Sequence, residues 1–139
     1  MLAEAPLVAF VATARPDAAR AFYAEVLGLK LTSDDQFALV FDAGGTTLRV
    51  AKVEQLQPAP FTVLGWLVDD VESAVADLAA RGVQFERYGE WMQQEGHGIW
   101  TAPGGARIAW FKDPDGNTLS ITQPESTDSP ASPPALSQR

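Results

Sequence analysis

The sequence predicts an α+β fold: two tandem βαβββ modules forming a curved mixed sheet around a cleft, with the helices on the outer face. Three observations predict it. Apolar strand-like runs begin at Leu7 and at Phe61, 54 residues apart, and two helix-stopping glycines, Gly28 and Gly82, stand at the same spacing. Matching offsets at two landmarks mark an internal duplication. Each run also leads into a segment of helical apolar spacing, followed by short runs separated by turn residues.

In the first module, about residues 7–55, the strand 7–12 comes first. Arg15-Pro16-Asp17 then opens a helix. Proline suits the first turn because its missing N–H has no partner to lose, and the aspartate sits at the positive end of the helix dipole. Ala19, Phe22, Tyr23, Val26 and Leu27 follow three-and-four spacing and form one buried stripe. Gly28 ends the helix in a left-handed conformation. Strands follow at 30–33, 36–42 and 46–53, the last two flanking the hairpin signature Ala43-Gly44-Gly45.

The second module, about residues 61–123, repeats the plan. Strand 61–68 leads to Asp69 and Asp70, which start a helix with the stripe Val71, Ala74, Val75, Leu78 and Ala79, ended by Gly82. Strands are predicted at 84–88, 98–101, 107–111 and 118–123. The turns between the last three are Ala102-Pro103-Gly104-Gly105-Ala106 and Asp113-Pro114-Asp115-Gly116-Asn117.

With 46% hydrophobic and 20% charged residues, the 139-residue chain has the balance of a soluble globular protein. A chain of this size buries roughly 68% of the surface it exposes when unfolded. Residues 5–123 are read as one domain. Residues 124–139 are rich in Pro and Ser and carry Leu136 as their one large apolar side chain. Such a segment buries too little to offset its ordering entropy, so a disordered tail is expected. No apolar run approaches the ~20 residues of a membrane span. The start of the chain lacks the basic and apolar regions of a signal peptide. The absence of cysteine excludes disulfides and thiol chemistry, and a cytoplasmic address is expected. A net charge of −8 without a Lys/Arg cluster argues against nucleic acid as a partner.

Ala21-Phe22-Tyr23-Ala24-Glu25-Val26-Leu27-Gly28-Leu29 resembles the first-helix signature of the vicinal oxygen chelate superfamily. Phe111-Lys112-Asp113-Pro114-Asp115-Gly116-Asn117 resembles its last-hairpin signature. That superfamily includes glyoxalase I, extradiol dioxygenases, methylmalonyl-CoA epimerase, fosfomycin-resistance transferases and bleomycin-resistance proteins. The resemblance covers residues 7–123 and implies a homodimer, because members pair two chains to complete their clefts. Both motifs read first as structure: Phe22 and Tyr23 anchor the helix, and Asp113-Pro114-Asp115-Gly116 is turn chemistry. In members with a metal, two strand positions of each module supply ligands. Carried over, those positions fall at Val8, Arg49, Val63 and Ser120. Two hydrocarbons, a guanidinium and a hydroxyl give a transition metal little to bind. One histidine and no cysteine rule out a two-His-one-carboxylate site within the chain. No metal and no cofactor is therefore expected.

If those positions face the cleft, strand alternation brings Phe10, Ala12, Thr47, Ala51, Gly65, Leu67, Thr118 and Thr122 to the same face. The candidate ligand-binding residues are Phe10, Phe37, Arg49, Trp91, Trp100, Trp110 and Ser120. Arg49 reads either as a bidentate anchor for a carboxylate, phosphate or carbonyl ligand, or as the partner of a structural carboxylate such as Asp42 or Glu54. The tryptophans read either as stacking surface or as core and dimer packing, with Trp66 assigned to the core. The glycine-flanked loop 88–98 offers Trp91 and Met92 as a lid. His97 is its candidate acid-base group, with an exposed loop histidine as the alternative, and no catalytic residue is assigned. No nucleophile elbow, phosphate loop or dinucleotide fingerprint occurs. The reading is a metal-independent protein that binds a small planar or hydrophobic molecule in an aromatic cleft with Arg49. The alternatives are a lyase, isomerase or dioxygenase using Arg49 and His97, or a dimerisation module without ligand.

Overall fold

The computed structural model describes residues 1–125, so all but the first two residues of the expected tail lie outside the described residues. The first module runs β1 (Val8–Thr13), α1 (Pro16–Ala21), β2 (Lys30–Asp34), β3 (Ala38–Ala43) and β4 (Thr46–Lys52). The second runs β5 (Thr62–Leu67), α2 (Val71–Ala80), β6 (Gln94–Glu95), β7 (Ile99–Thr101), β8 (Arg107–Lys112) and β9 (Thr118–Gln123). The strand orders are β1-β4-β3-β2 and β5-β9-β8-β7-β6, and the two sheets meet where β1 approaches β5. In each, the first strand runs parallel to the last and the remaining pairs are antiparallel.

The helices start and stop where their sequences direct. Pro16 opens α1 with Asp17 in the first turn, and the helix continues through a wider π-type turn, Phe22–Val26. The Asp70 carboxylate caps α2, accepting from the backbone N–H groups of Glu72 and Ser73. Gly28 and Gly82 follow the helices at φ +74° and +98°, the left-handed region where a side chain is strained.

The predicted strand 84–88 does not form. Phe85 makes a single bridge to Phe111, and the Glu86 N–H donates to the Trp110 carbonyl. The reason is competition for one edge of β8. Its other edge pairs with β9, and Arg107 and Ile108 are taken by β7, which leaves only the far end for Phe85. The Gln94 side chain stands in for the missing ladder. Its Oε1 accepts from the Tyr88 N–H, and its Nε2 donates to the carbonyls of Glu86 and Gly98. A backbone segment without strand partners thus keeps its polar groups satisfied.

One core serves both modules. Tyr23 from the α1 segment and Val71 and Val75 from α2 pack with Leu39, Phe41, Leu48, Val50, Ala109, Phe111 and Leu119, all almost fully buried. A side chain buried to this degree contributes about 1.5–3 kcal/mol. Leu48 and Val50 of β4 are buried while Thr47, Arg49 and Ala51 turn to the opposite, concave face.

Both signature motifs serve to join the modules. The β8–β9 turn docks on the end of β1 and the start of α1. Tyr23 donates its hydroxyl to Asp113 Oδ2 at 2.7 Å, and Asp113 Oδ1 accepts from the N–H groups of Asp115 and Asn117. Asp115 accepts from the Thr13 hydroxyl and the Ala14 N–H. Asn117 donates to the Ala12 carbonyl, and Arg15 donates to the Pro114 carbonyl. The pseudo-equivalent β3–β4 turn is closed locally by Asp42, which accepts from the Gly45 N–H. It makes no hydrogen bond to the other module among the described residues.

Candidate functional site

The concave face is built from alternate residues of the strands in each sheet. The parallel register sets Phe10 opposite Arg49 in the first module and Gly65 opposite Ser120 in the second. Val63 is the extra residue of a bulge, so Thr62 rather than Val63 pairs with Thr118. Gly65 has a packing reason: a Cβ built there would lie 2.7 Å from the Ser120 hydroxyl.

The second module carries a cavity of about 630 Å³. Trp110 forms its floor on β8, flanked by Tyr88 with ring centroids 5.5 Å apart in an edge-to-face arrangement. Trp91 and Met92 form one wall, and the segment Pro58-Ala59-Pro60-Phe61 that links the modules forms another. Lys112, Thr118 and Thr62 supply the polar groups. Burial first, and the Glu86 carboxylate second, raise the Tyr88 hydroxyl above its ordinary pKa and keep it a hydrogen-bond donor. Trp91 is 77% exposed and also borders a second cavity, of about 440 Å³, with Trp100, Glu90 and Glu95. Trp100 lies against Trp110, centroids 6.1 Å apart and tilted by 37°. The three tryptophans of the candidate set are therefore brought together.

The rest of that set is dispersed. Phe10, on β1, and Phe37, in the β2–β3 turn, are 62% and 63% exposed, and neither lines the large cavity. Arg49 is half-buried on β4 between Phe10 and Val40. Its guanidinium makes no hydrogen bond or ion pair among the described residues, and its charge acts on Asp35. Two backbone N–H bonds, from Phe37 and Ala38, are the main cause that lowers the Asp35 pKa, with Arg49 adding to it. Ser120 is buried beside Trp110, its cross-strand partner, and does not line the large cavity. His97 sits exposed in the β6–β7 turn and lines neither of these two cavities. Phe61, Tyr88 and Lys112 belong to the cavity but were not among the sequence candidates. Lys112 was legible, because it is the period-two neighbour of Trp110 on β8.

The four positions to which the resemblance carries the metal ligands do not suit a cation here. Val8 and Val63 offer hydrocarbon, Ser120 a neutral hydroxyl and Arg49 a positive charge. Among the described residues, no three His, Cys, Asp or Glu side chains are grouped to hold an ion.

Residues 6–121 match the family model of the Glyoxalase/Bleomycin resistance protein/Dioxygenase superfamily, and the chain belongs to that superfamily. No curated protein matches the chain by sequence. Among solved structures, it is similar to TnmS3, an antibiotic binding protein from Streptomyces sp. CB03234. That match has 25% identity and a TM-score of 0.67, and covers 90% of this chain and 99% of the other. A bleomycin resistance determinant encoded on the transposon Tn5 shares the fold at 22% identity and TM-score 0.67, over 86% of this chain and 98% of its own. Lactoylglutathione lyase from Agrobacterium tumefaciens does so at 20% identity and TM-score 0.64, over 86% and 93%. No helix among the described residues is long and apolar enough to cross a membrane.

Proposed function

We propose that this chain is a metal-independent binding protein for a small planar, hydrophobic molecule. The observation that carries the reading is the cavity of about 630 Å³ walled by Tyr88, Trp91, Met92, Trp110 and Phe61. Its size and mainly apolar lining with a few polar groups are those of a small-molecule site. Flat indole surfaces favour a flat ligand, since offset stacking adds about 0.5–1.5 kcal/mol beyond burial. The likeness to a structure named as an antibiotic binding protein supports the same reading. The valine, serine and arginine side chains at the usual ligand positions support its metal independence.

Arg49 is the second anchor in this reading, on the first-module half of the cleft. A half-buried guanidinium with no ion pair among the described residues is free to meet a carboxylate or carbonyl. The exposed apolar side chains Val8, Phe10 and Phe37 support a homodimer that covers them. The protein would act in the cytoplasm. Titrating a panel of planar aromatic compounds against tryptophan fluorescence, with calorimetry in parallel, tests the proposal. Saturable quenching at one site per chain is expected, and a flat response across the panel rejects it.

A further inference from the structure

We propose that Lys112 makes this cavity selective for planar aromatic acids over their neutral counterparts. The inference rests on the binding reading above and names the ligand's chemical class. Lys112 and Trp110 stand two residues apart on β8 and line the same cavity, so a ring stacked on the indole directs one edge toward the ammonium group. Thr118 is the direct cross-strand partner of Lys112 and lines the cavity too, a neutral hydroxyl beside the charge. Together they offer two donors to one carboxylate or phenolate.

The ammonium is also available. Its ion-pair partner, Glu86 Oε1, lies 3.8 Å away. That exceeds the roughly 3.2 Å limit of an N–H···O hydrogen bond, so the lysine has donors to spare. The Lys112 side chain is half exposed, and among the described lining residues it carries the one charge. The described lining contains no carboxylate, so Glu86, outside the lining, is the carboxylate that competes for the ammonium. The net charge of −8 makes this spot a local exception on an acidic chain, and a cationic ligand would meet like charge at this point of the wall.

The experiment compares anthracene-2-carboxylate with anthracene-2-carboxamide by calorimetry on the full chain. Wild type is expected to prefer the acid by about tenfold, the size of one charge-assisted hydrogen bond at a partly exposed site. Lys112→Met keeps the apolar stem and should abolish that preference, lowering acid affinity about tenfold more than amide affinity. Glu86→Gln removes this competing carboxylate and should raise acid affinity without altering the amide. Opposite signs at two exposed or half-exposed positions separate selectivity from misfolding, with a thermal melt of each variant as the folding check. Equal binding of acid and amide to wild type, or a preference that survives Lys112→Met, overturns the selectivity and leaves the binding site standing. Failure of both probes to bind removes the binding site and the selectivity with it.

Discussion

The Tyr23 hydroxyl lies 2.7 Å from Asp113 Oδ2, a hydrogen bond between residues 90 positions apart. It joins the helix motif of the first module to the hairpin motif of the second. The two segments that carry the family resemblance are thus halves of one contact. Asp113 is only 6% exposed, and its other acceptor sites are filled by Asn117 and two backbone N–H groups.

Replacing Tyr23 by Phe keeps the ring contacts with Phe22 and Phe41 but withdraws one donor from a buried carboxylate. A loss of about 1–3 kcal/mol in unfolding free energy is expected, the cost of a buried acceptor left short of a partner. Urea unfolding measures it. An unchanged midpoint would show that the contact contributes nothing.

The same bond makes stability fall at alkaline pH. Burial first, then the Asp113 carboxylate, push the Tyr23 hydroxyl far above its ordinary pKa. The folded state favours the neutral form, so this stabilisation is complete below the unfolded tyrosine value of about 10 and is lost as pH rises above it. Urea midpoints should therefore decline above that pH, and Tyr23→Phe should remove most of the decline. The remainder belongs to Tyr88, whose hydroxyl is raised in the same direction.

Gly65→Ala places a methyl group 2.7 Å from the Ser120 hydroxyl, which must rotate or shift. A cost of about 1–3 kcal/mol is expected from this overpacking. Adding Ser120→Ala should recover most of it, because the clashing atom is then gone. A double-mutant cycle by thermal or urea unfolding gives the coupling, and additive losses would refute the clash.

Trp91→Ala separates binding from folding. The side chain is 77% exposed, so stability should change by no more than about 0.5 kcal/mol. Affinity for a planar aromatic ligand should fall by about 0.5–1.5 kcal/mol, the stacking contribution of one ring. Calorimetry with the uncharged anthracene-2-carboxamide reads it.

Much of this architecture was legible in the sequence. The duplication, both capping glycines, the Asp70 cap and the buried stripes followed from local rules of spacing and backbone conformation. What failed was set by competition at a distance. Residues 84–88 carry strand propensity, yet β7 had already taken part of the edge they needed, and Gln94 absorbed their backbone groups. The site divides in the same way. Trp91, Trp100 and Trp110 were singled out by composition, and the family resemblance, not periodicity, pointed to Arg49 as a cleft residue. Tyr88 and Phe61 escaped because irregular segments, with no periodicity to read, bring them to the cavity.

The docked β8–β9 turn has a consequence for the order of events during synthesis. Thr13, Ala14, Arg15 and Tyr23 all find partners among residues about a hundred positions later. A chain emerging from the ribosome presents its first four strands well before those partners exist. The first module must therefore wait with an unfastened rim until the final hairpin arrives, and contacts of such long sequence separation form late and slowly. Any delay in translating the codons for β8 and β9 prolongs that vulnerable interval.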